Sequence, residues 1–400
     1  MQGNLYLSRI REDLTFQVYN LFPDYVFPGK VRRVDIRVTG GAREDKEFRI
    51  EVELHALDRD LEGASHALVR VSSSIGTFFD LYLDPVDGNG RRIEQGTVLV
   101  GTKKLNRHSK AGYWRPIQLK IVDRAGNERF QRGDDFGWKL YVDNFLEDWV
   151  PPEYVPGTAR LGMGRERVVE GRVVQSIEAT WEVSENNAMR ENGACYASVN
   201  DEVPTTYRLQ EFGHFRPAEK LCRVVFLMPD YMPSSRYSLN YINMADQGGN
   251  WNGARFTEEA RDEKPQRIRV RTSNPDIEPP ELDLNRMRVD AEPTNPEQPN
   301  GETIVRLSIR IRDNISGYTQ ASIRFLDPQG ITHHVWAYDD ERDLVFGLND
   351  PTRWKEHTIV HVLPPGSAPG TWGVSNMALY DRARNLVHHD FTEVIHFEVD

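Results

Sequence analysis

Residues Trp114–Asn127 read WRPIQLKIVDRAGN, and the same arrangement returns twice along the chain, as YSLNYINMADQGGN over Tyr237–Asn250 and as WGVSNMALYDRARN over Trp372–Asn385. In each copy an aromatic residue lies nine positions before an aspartate, and an asparagine follows four positions after it. The three aspartates are 123 and 135 residues apart, which is the length of a domain rather than of a solenoid repeat. The sequence therefore predicts tandem copies of one domain.

The size and charge of the chain restrict what it can bind. Its 400 residues exceed what a single core accommodates, in agreement with several domains of the repeat's length. The net charge of −11, with basic residues scattered among acidic ones, argues against a nucleic-acid partner, because such binding depends on basic contacts to phosphate. No stretch has the roughly 18 consecutive apolar residues of a membrane helix, and none resembles a signal peptide. We therefore expect neither nucleic-acid binding nor membrane insertion.

Alternating apolar and polar residues indicate β-strands throughout. Residues 48–54 (FRIEVEL) and 305–311 (VRLSIRI) alternate at period two, and turn clusters such as 84–88 (DPVDG) and 327–330 (DPQG) separate such runs. Short strands and frequent turns in units of about 120 residues are typical of β-sandwiches. The predicted fold class is all-β, with three full sandwiches in tandem.

The aromatic residue of each repeat has a predicted structural role. Trp114, Tyr237 and Trp372 lie at the start of the strand that precedes the shared aspartate. In immunoglobulin-like sandwiches an aromatic residue at this place packs at the corner between the two sheets. We therefore expect all three side chains in the cores rather than on a ligand-binding surface.

Proline-rich stretches mark the domain boundaries. Linkers are predicted at residues 20–30, 148–157 (DWVPPEYVPG) and 273–280 (SNPDIEPP). The predicted units are an N-terminal segment at 1–30, a first sandwich at 31–150, a second at 151–273 and a third at 274–400. Because prolines stiffen such connectors, we expect an extended rod.

The N-terminal segment resembles the end of a repeat. Residues 2–4 (QGN) and 16–20 (FQVYN) match residues 126–127 (GN) and 138–144 (WKLYVDN) of the first repeat. Residues 1–20 are therefore predicted to be the last strands of a preceding repeat, and the chain to be an excerpt from a longer array. Such an orphan strand should be disordered or should pair with an exposed sheet edge, of its own molecule or of a neighbour. The alternative is an N-terminal extension with chance similarity.

The repeated tails (Gly-x-Trp or its like, an alternating strand, then Asp-x-Ala-Gly-Asn) resemble the immunoglobulin-like or fibronectin-like repeats of large bacterial surface and secreted proteins. The resemblance extends over residues 31–400. It implies a stalk, a spacer, an adhesin arm or an accessory module of a secreted enzyme. The third repeat departs from the pattern with Arg384 in the glycine position, and the second departs with Tyr237 in place of tryptophan.

Acidic and amide side chains recur in the loops at one end of each predicted sandwich. In this fold the loop between the last two strands lies beside the loop that joins the second and third strands. Converging carboxylate and amide oxygens would suit Ca²⁺, although turn chemistry alone also favours Asp and Asn in loops. The residues concerned are Asp58, Asp60, Asp123 and Asn127 in the first repeat, Glu185, Asp246 and Asn250 in the second, and Asp313, Asp381 and Asn385 in the third. Calcium is the one cofactor that the sequence suggests, and none is required.

The two cysteines both belong to the second repeat. Cys195 and Cys222 could form a disulfide, which would fit an oxidising compartment, or remain two buried thiols. The absence of a Cys-x-x-Cys pair argues against a cysteine metal site.

Three aromatic residues of the third repeat have no counterparts in the other two. Trp336, Tyr338 and Trp354 could form a surface that stacks on sugar rings. The alternative is ordinary packing within the core or between domains.

We find no motif of a catalytic site, and the leading hypothesis is a non-enzymatic stalk or presentation segment of a bacterial extracellular or cell-surface protein. Its expected partners are neighbouring domains of a longer chain, together with a surface glycan or another protein. One alternative is a carbohydrate-binding or accessory array of a secreted enzyme. A second is a self-assembling filament or sheath subunit that uses strand addition.

Overall fold

The protein is described here by a computed structural model. It describes residues 3–56, 63–74, 76–135, 139–203, 208–259, 263–297 and 301–399, with the backbone alone for residues 3–9, 134 and 393–399. In these ranges the regular structure is antiparallel β-strands and two 3₁₀ turns, without an α-helix. No helix in this part of the chain could cross a lipid bilayer. The all-β prediction is confirmed.

An N-terminal arm, defined as residues 3–24, precedes the first domain. Its strands are β1 (Gly3–Ile10) and β2 (Thr15–Val18), with a 3₁₀ turn at Glu12–Leu14 between them. β2 alternates in burial, which turns Phe16 and Val18 toward a core and Gln17 toward solvent.

The two layers of the first domain form one continuous, partly barrel-like sheet. Its strands are β3 (Val31–Thr39), β4 (Lys46–Leu54), β5 (His66–Ser73), β6 (Phe78–Pro85), β7 (Val98–Leu105), β8 (Gly112–Val122), β9 (Glu128–Arg132) and β10 (Leu140–Val142). They follow the order β10-β8-β5-β6-β7-β4-β3, with β9 also on β8 and a 3₁₀ turn at Gly133–Asp135. The layers are joined where Asp84 pairs with Val100 and Pro85 with Leu99. This joining was not predicted from the turn signal at Asp84.

The second domain is joined in a similar way. Its strands are β11 (Glu153–Tyr154), β12 (Arg160–Met163), β13 (Arg167–Val169), β14 (Arg172–Ser184), β15 (Cys195–Asn200), β16 (Leu209–Arg216), β17 (Leu221–Met228), β18 (Arg236–Ala245), β19 (Trp251–Arg255) and β20 (Arg267–Arg269). β16 pairs with both β15 and β17 and so connects the layers. Cys195 and Cys222 form a buried disulfide between β15 and β17, with their Cα atoms 5.7 Å apart.

The third domain has two separate sheets around one core. Its strands are β21 (Glu281–Leu282), β22 (Arg288–Pro293), β23 (Thr303–Arg312), β24 (Tyr318–Leu326), β25 (Thr332–Tyr338), β26 (Lys355–Leu363), β27 (Gly370–Asp381), β28 (Leu386–Asp390) and β29 (Thr392–Val399). One sheet contains β21, β22 and β26 around β23, and the other has the order β2-β27-β24-β25 with β28 on β27. Strict alternation in β23 turns Val305, Leu307, Ile309 and Ile311 inward, as the sequence pattern predicts.

The shared aromatic residue occupies the same place in all three cores. Trp114, Tyr237 and Trp372 are at most 1% exposed. Each donates a side-chain hydrogen bond to the backbone carbonyl four residues earlier. The acceptors are Lys110 at 3.0 Å, Pro233 at 2.7 Å and Ala368 at 2.8 Å. The predicted core position of these aromatics is confirmed, and the corner hydrogen bond is a further repeated feature.

The arm completes the third domain. β2 pairs with β27, which places Phe16 opposite Trp372, and Leu14, Phe16 and Val18 are buried in the third core. β1 pairs along its length with β29. The N-terminal strand thus pairs with a sheet edge of its own molecule, which is one of the alternatives predicted for it.

This docking brings the first and third domains together. Arg124 forms an ion pair with Glu302 at 3.1 Å, and the amide of Asp24 donates to the carbonyl of Gly366 at 2.9 Å. The second domain contacts both others, because Asn186 bonds Asp148 and Tyr231 bonds the carbonyl of Val345. The structure does not support the predicted extended rod, because the docked arm closes the three domains into a ring.

Candidate cation sites at the domain junctions

The hairpin that follows the repeated aromatic strand, called the terminal hairpin because it closes the repeated sequence, is held by the same three hydrogen bonds in each domain. In the third repeat the amide of Asn385 donates to Oδ1 of Asp381 at 2.7 Å, and its side-chain Nδ2 donates to Oδ2 at 2.8 Å. The amide of Asp381 returns a bond to the carbonyl of Asn385 at 3.2 Å. The same bonds join Asp123 to Asn127 and Asp246 to Asn250. Each aspartate–asparagine pair therefore closes the turn of its hairpin, and we call this hydrogen-bonded pair the clasp.

The residue before the asparagine has a left-handed backbone in each hairpin. Gly126 and Gly249 have φ of 91° and 86°, a region that glycine adopts without steric cost. Arg384 has φ of 75° in the third repeat, so the same turn forms there with a side chain that this region disfavours. The departure at Arg384 leaves the hairpin geometry intact.

The asparagine also ties each hairpin to the linker that enters its domain. Nδ2 of Asn385 donates to the backbone carbonyl of Asp276 at 3.3 Å. Equivalent bonds run from Asn127 to Asp24 at 2.9 Å and from Asn250 to Asp148 at 3.0 Å. Because its amide nitrogen faces these acceptors, the asparagine is a donor in the junction. These bonds use the side-chain nitrogen alone, so the predicted role of Asn127, Asn250 and Asn385 as metal ligands through oxygen stays a prediction.

Each linker aspartate in turn bonds a loop of the other domain at its junction, which is the third domain in the case of Asp24. The backbone amides of Asp24, Asp148 and Asp276 donate to three loop carbonyls. The acceptors are Gly366 at 2.9 Å, His108 at 2.8 Å and Tyr231 at 2.8 Å. One aspartate thus connects two domains at every junction. These three residues were not among the predicted site residues, although each lies three or four positions before a proline of a predicted linker.

The junction of the second and third domains contains a buried trio of carboxylates. One oxygen from each of Asp276, Asp313 and Asp381 lies within 4.8 Å of the others, and all three residues are at most 3% exposed. Oδ2 of Asp313 accepts the amide of Gly317 at 2.6 Å, whereas Oδ1 of Asp313 is buried without a hydrogen-bond partner. The predicted approach of Asp313 to Asp381 is therefore seen, with Asp276 as an additional member.

The electrostatics of this trio are unfavourable for three negative charges. Burial, followed by the charges of Asp276 and Asp313, raises the pKa of Asp381 to about 9. Burial and Asp276 raise the pKa of Asp313 to about 6. Packed carboxylates of this kind are accommodated by protonation or by a cation.

A second trio lies at the junction of the first and second domains. Asp148, Glu185 and Asp246 bring one oxygen each within 4.8 Å of the others. Oδ2 of Asp148 and Oε2 of Glu185 are buried without a partner, and burial raises the pKa of both Glu185 and Asp246. Lys110 lies nearby and donates to the carbonyl of Asp148, so this trio is partly neutralised. The predicted approach of Glu185 to Asp246 is seen here as well.

The junction of the third and first domains contains Asp24, Asp123 and Asn127 in the arrangement described above. The further candidates Asp58 and Asp60 lie outside the described residues. The structure therefore leaves their predicted approach to Asp123 as an expectation.

Turn chemistry accounts for part of these contacts. Oδ1 of Asp87 and Oδ1 of Asp327 accept the amide four residues later, as Oδ1 of each hairpin aspartate does, although neither residue belongs to a carboxylate trio. Such turns explain the Oδ1 bonds. They do not explain why linker, loop and hairpin carboxylates meet in the interior with unpartnered oxygens. An all-oxygen donor set of this kind fits Ca²⁺, which takes six to eight oxygens at about 2.3–2.6 Å.

The proposed sugar-stacking residues do not form one surface. The rings of Trp336 and Tyr338 lie side by side, 6.4 Å apart and inclined by 15°, and are 44% and 49% exposed. Trp354 precedes β26 beside the other sheet, where Arg310 and Arg312 of β23 approach its ring at 5.5 and 4.7 Å. Two of the three aromatics are therefore neighbours, and the third is separate.

Neither a protein-family model nor a curated protein matches this chain. The interpretation of the junctions consequently depends on their own residues and geometry.

Proposed function

We propose that this chain is a non-enzymatic structural segment of a bacterial extracellular or cell-surface protein, in which immunoglobulin-like domains are fixed together by calcium at their junctions. The corner hydrogen bonds of Trp114, Tyr237 and Trp372 support the domain type. The disulfide between Cys195 and Cys222 supports an oxidising compartment.

The observation that carries the proposal is the trio of Asp276, Asp313 and Asp381. Its members come from the linker, from the loop after β23 and from the terminal hairpin. Hydrogen bonds leave one oxygen of Asp313 unpartnered in a buried position, which costs free energy unless a proton or a cation compensates it. A divalent cation would satisfy that oxygen and neutralise its neighbours.

The mechanism would be geometric. Asp276 belongs to the linker between the two domains, whereas Asp313 and Asp381 belong to the third domain. A cation held by all three would fix the linker against that domain, while the amide of Asp276 fixes it to the second domain through Tyr231. Binding would therefore set the angle between neighbouring domains and stabilise the junction.

The test is thermal unfolding in EDTA and in millimolar calcium. At a free calcium concentration about ten times Kd, binding adds roughly 1.4 kcal/mol, which raises Tm by about 3–6 °C for a domain of this size. We expect this rise in the unmodified chain and a smaller one in Asp313→Asn, which retains the shape of the side chain. Glu185→Gln should remove the contribution of the second trio.

The matched control is Asp87→Asn. Asp87 accepts the same type of turn bond from the amide of Arg91 but belongs to neither trio. Its variant should respond to calcium as the unmodified chain does. An equal Tm in EDTA and calcium, with no heat of binding by calorimetry, would refute the calcium proposal and leave only the clasp.

A second candidate function is glycan binding, and the paired rings of Trp336 and Tyr338 favour it. Tyr380 of β27, two strands away in the same sheet, has its ring 6.1 Å from that of Trp336 and enlarges this partly exposed aromatic surface. Sugar rings stack on such faces. A glycan array should then give binding that Trp336→Ala removes and that Trp354→Ala, beside the other sheet, leaves unchanged. Loss of binding in both variants, or in neither, would argue against this surface.

A further inference from the structure

The arm occupies the place that the last strand of each domain occupies elsewhere. Leu140 lies opposite Trp114 in the first domain, and Ile268 lies opposite Tyr237 in the second. In the third domain the residue opposite Trp372 is Phe16 of the arm. The third domain's own chain instead continues from β28 into β29, which pairs with β1. The third domain therefore takes its last strand from a segment about 350 residues away.

The equivalence continues beyond the strand into the linker. Nδ2 of Asn20 donates to the carbonyl of Ser367 at 2.9 Å, and Nδ2 of Asn144 donates to the carbonyl of Ser109 at 2.7 Å. Four positions further on, Asp24 and Asp148 make the matching junction bonds described above. The junction between the third and first domains thus repeats, bond for bond, a junction between consecutive domains.

The difference lies in the covalent connection. At the other two junctions the last strand belongs to the same stretch of chain as its domain. The arm, by contrast, is separated in sequence from the third domain that it completes. It can therefore dissociate from β27 while strands β21 to β28, which are continuous in sequence, stay folded. Exchange of an identical element between copies is an established low-cost route to association.

The end of the arm and the residues that follow it, residues 19–27, carry several exposed apolar side chains. Five large side chains between residues 19 and 27 are between 49% and 72% exposed: Tyr19, Leu21, Phe22, Tyr25 and Phe27. Contiguous exposed apolar side chains commonly mark a surface that a partner covers. In an assembly these side chains would lie at the crossing point between two copies.

We propose that the arm is exchangeable, and that the arm of one copy docks on β27 of a second copy, which joins the first domain of one molecule to the third domain of another. This goes beyond the proposed calcium function and does not require it. Docking within one molecule has an effective concentration in the millimolar range, so exchange should increase as the protein concentration approaches that value.

The experiment uses the exposed register pair Gln17 and Thr371, whose side chains are hydrogen-bonded at 2.6 Å. Both native cysteines are bonded to each other, so an introduced cysteine is the only free thiol of its chain. Chains carrying Gln17→Cys are mixed with tagged chains carrying Thr371→Cys, warmed, cooled and oxidised. A mixed disulfide dimer on a non-reducing gel then reports an arm docked on another molecule.

We expect mixed dimers to increase several-fold between about 10 µM and about 1 mM protein. The control adds Phe16→Asp to the Gln17→Cys chain, which removes the apolar anchor but leaves the thiol available for random collisions. Because the acceptor in this mixture is the other chain, instability of the donor's own third domain does not remove the acceptor. The double variant Gln17→Cys/Thr371→Cys should crosslink within single molecules at low concentration.

Mixed dimers above the Phe16→Asp level would establish exchange. If the double variant crosslinks within one chain while mixed dimers stay at the control level at every concentration, the arm is a permanent intramolecular strand and the proposal fails. Absence of any crosslink in the double variant would also overturn it, because the arm would not dock on β27.

Discussion

The side-chain amide of Asn385 donates a hydrogen bond to the backbone carbonyl of Asp276, 109 residues earlier in the chain. The same amide nitrogen also donates to Oδ2 of Asp381 at 2.8 Å. One asparagine therefore holds the terminal hairpin of the third domain and the linker that enters it. The repetition of this bond at the other two junctions makes it the basic unit of domain attachment in this protein.

Asn385→Ala should destabilise the third domain and its junction. The change leaves the carbonyl of Asp276 and an oxygen of Asp381 buried without this donor, which costs roughly 1–3 kcal/mol. Urea unfolding followed by tryptophan fluorescence measures the loss. Asn89→Ala, at an exposed turn residue, should have an effect within about 0.5 kcal/mol. Equal losses in both variants would show that the junction bond contributes nothing.

Asp313→Asn should have opposite effects without and with calcium. In EDTA it replaces a carboxyl whose charged form burial and Asp276 disfavour by a neutral amide, so Tm should rise relative to the unmodified chain. In calcium the advantage should shrink or reverse, because the variant lacks one charged ligand. Scanning calorimetry under both conditions measures the crossover. A parallel shift under both conditions would contradict a metal role for Asp313.

Reduction of the Cys195–Cys222 disulfide should weaken the second domain selectively. The bond joins residues 27 positions apart, and closing a loop of this length stabilises by about 3 kcal/mol. The double variant Cys195→Ala/Cys222→Ala should lower the unfolding transition of the second domain and spare those of the first and third. A uniform loss across all transitions would instead indicate that the three domains unfold as one unit.

His361→Phe should make the third domain less sensitive to acid than it is in the unmodified chain. Burial lowers the pKa of His361 below the ordinary 6.5, as it does for His357 and His389. As the pH falls through about 6.5, the unfolded chain takes up a proton that the folded imidazole resists, so each such histidine contributes a loss of stability toward lower pH. The raised pKa values of Asp381 and Asp313 act in the opposite direction, and the variant retains both groups. Urea midpoints at about pH 7.5 and about pH 5.5, compared between the unmodified chain and this variant, which keeps a ring against Phe325, measure the histidine contribution.

The repeated hairpins and the loops beside them were accessible from sequence. Asp381 and Asn385 stand at fixed spacing from Trp372, and the pairing of the two loops at one end of a sandwich predicted that Asp313 would approach them. Asp276 was missed because a linker aspartate looks like ordinary turn chemistry. Its position before prolines in all three linkers was the available signal.

The docking of the arm on the third domain, which closes the ring of domains, could not be predicted from the sequence. The similarity of residues 16–20 to the end of a repeat identified the arm as a terminal strand, but local patterns do not specify which distant edge a strand will choose. That choice depends on the apolar groove beside Trp372 and Phe325, which exists only once the third domain has formed. The predicted rod was wrong for the same reason. The proline-rich linkers alone favour an extended chain, whereas the contact between Arg124 and Glu302 forms only when the arm docks on the third domain.

The pairing of β1 with β29 gives the molecule a defined response to mechanical force. Gly3 pairs with Val399 and Ile10 with Thr392, so residues 3 and 399 lie side by side at the same end of the ribbon. Tension between them would peel this ribbon apart one residue pair at a time, rather than shear all its hydrogen bonds together. This ribbon would separate before the third core, which holds β2, carried the load, and the released length would act as an extensible reserve.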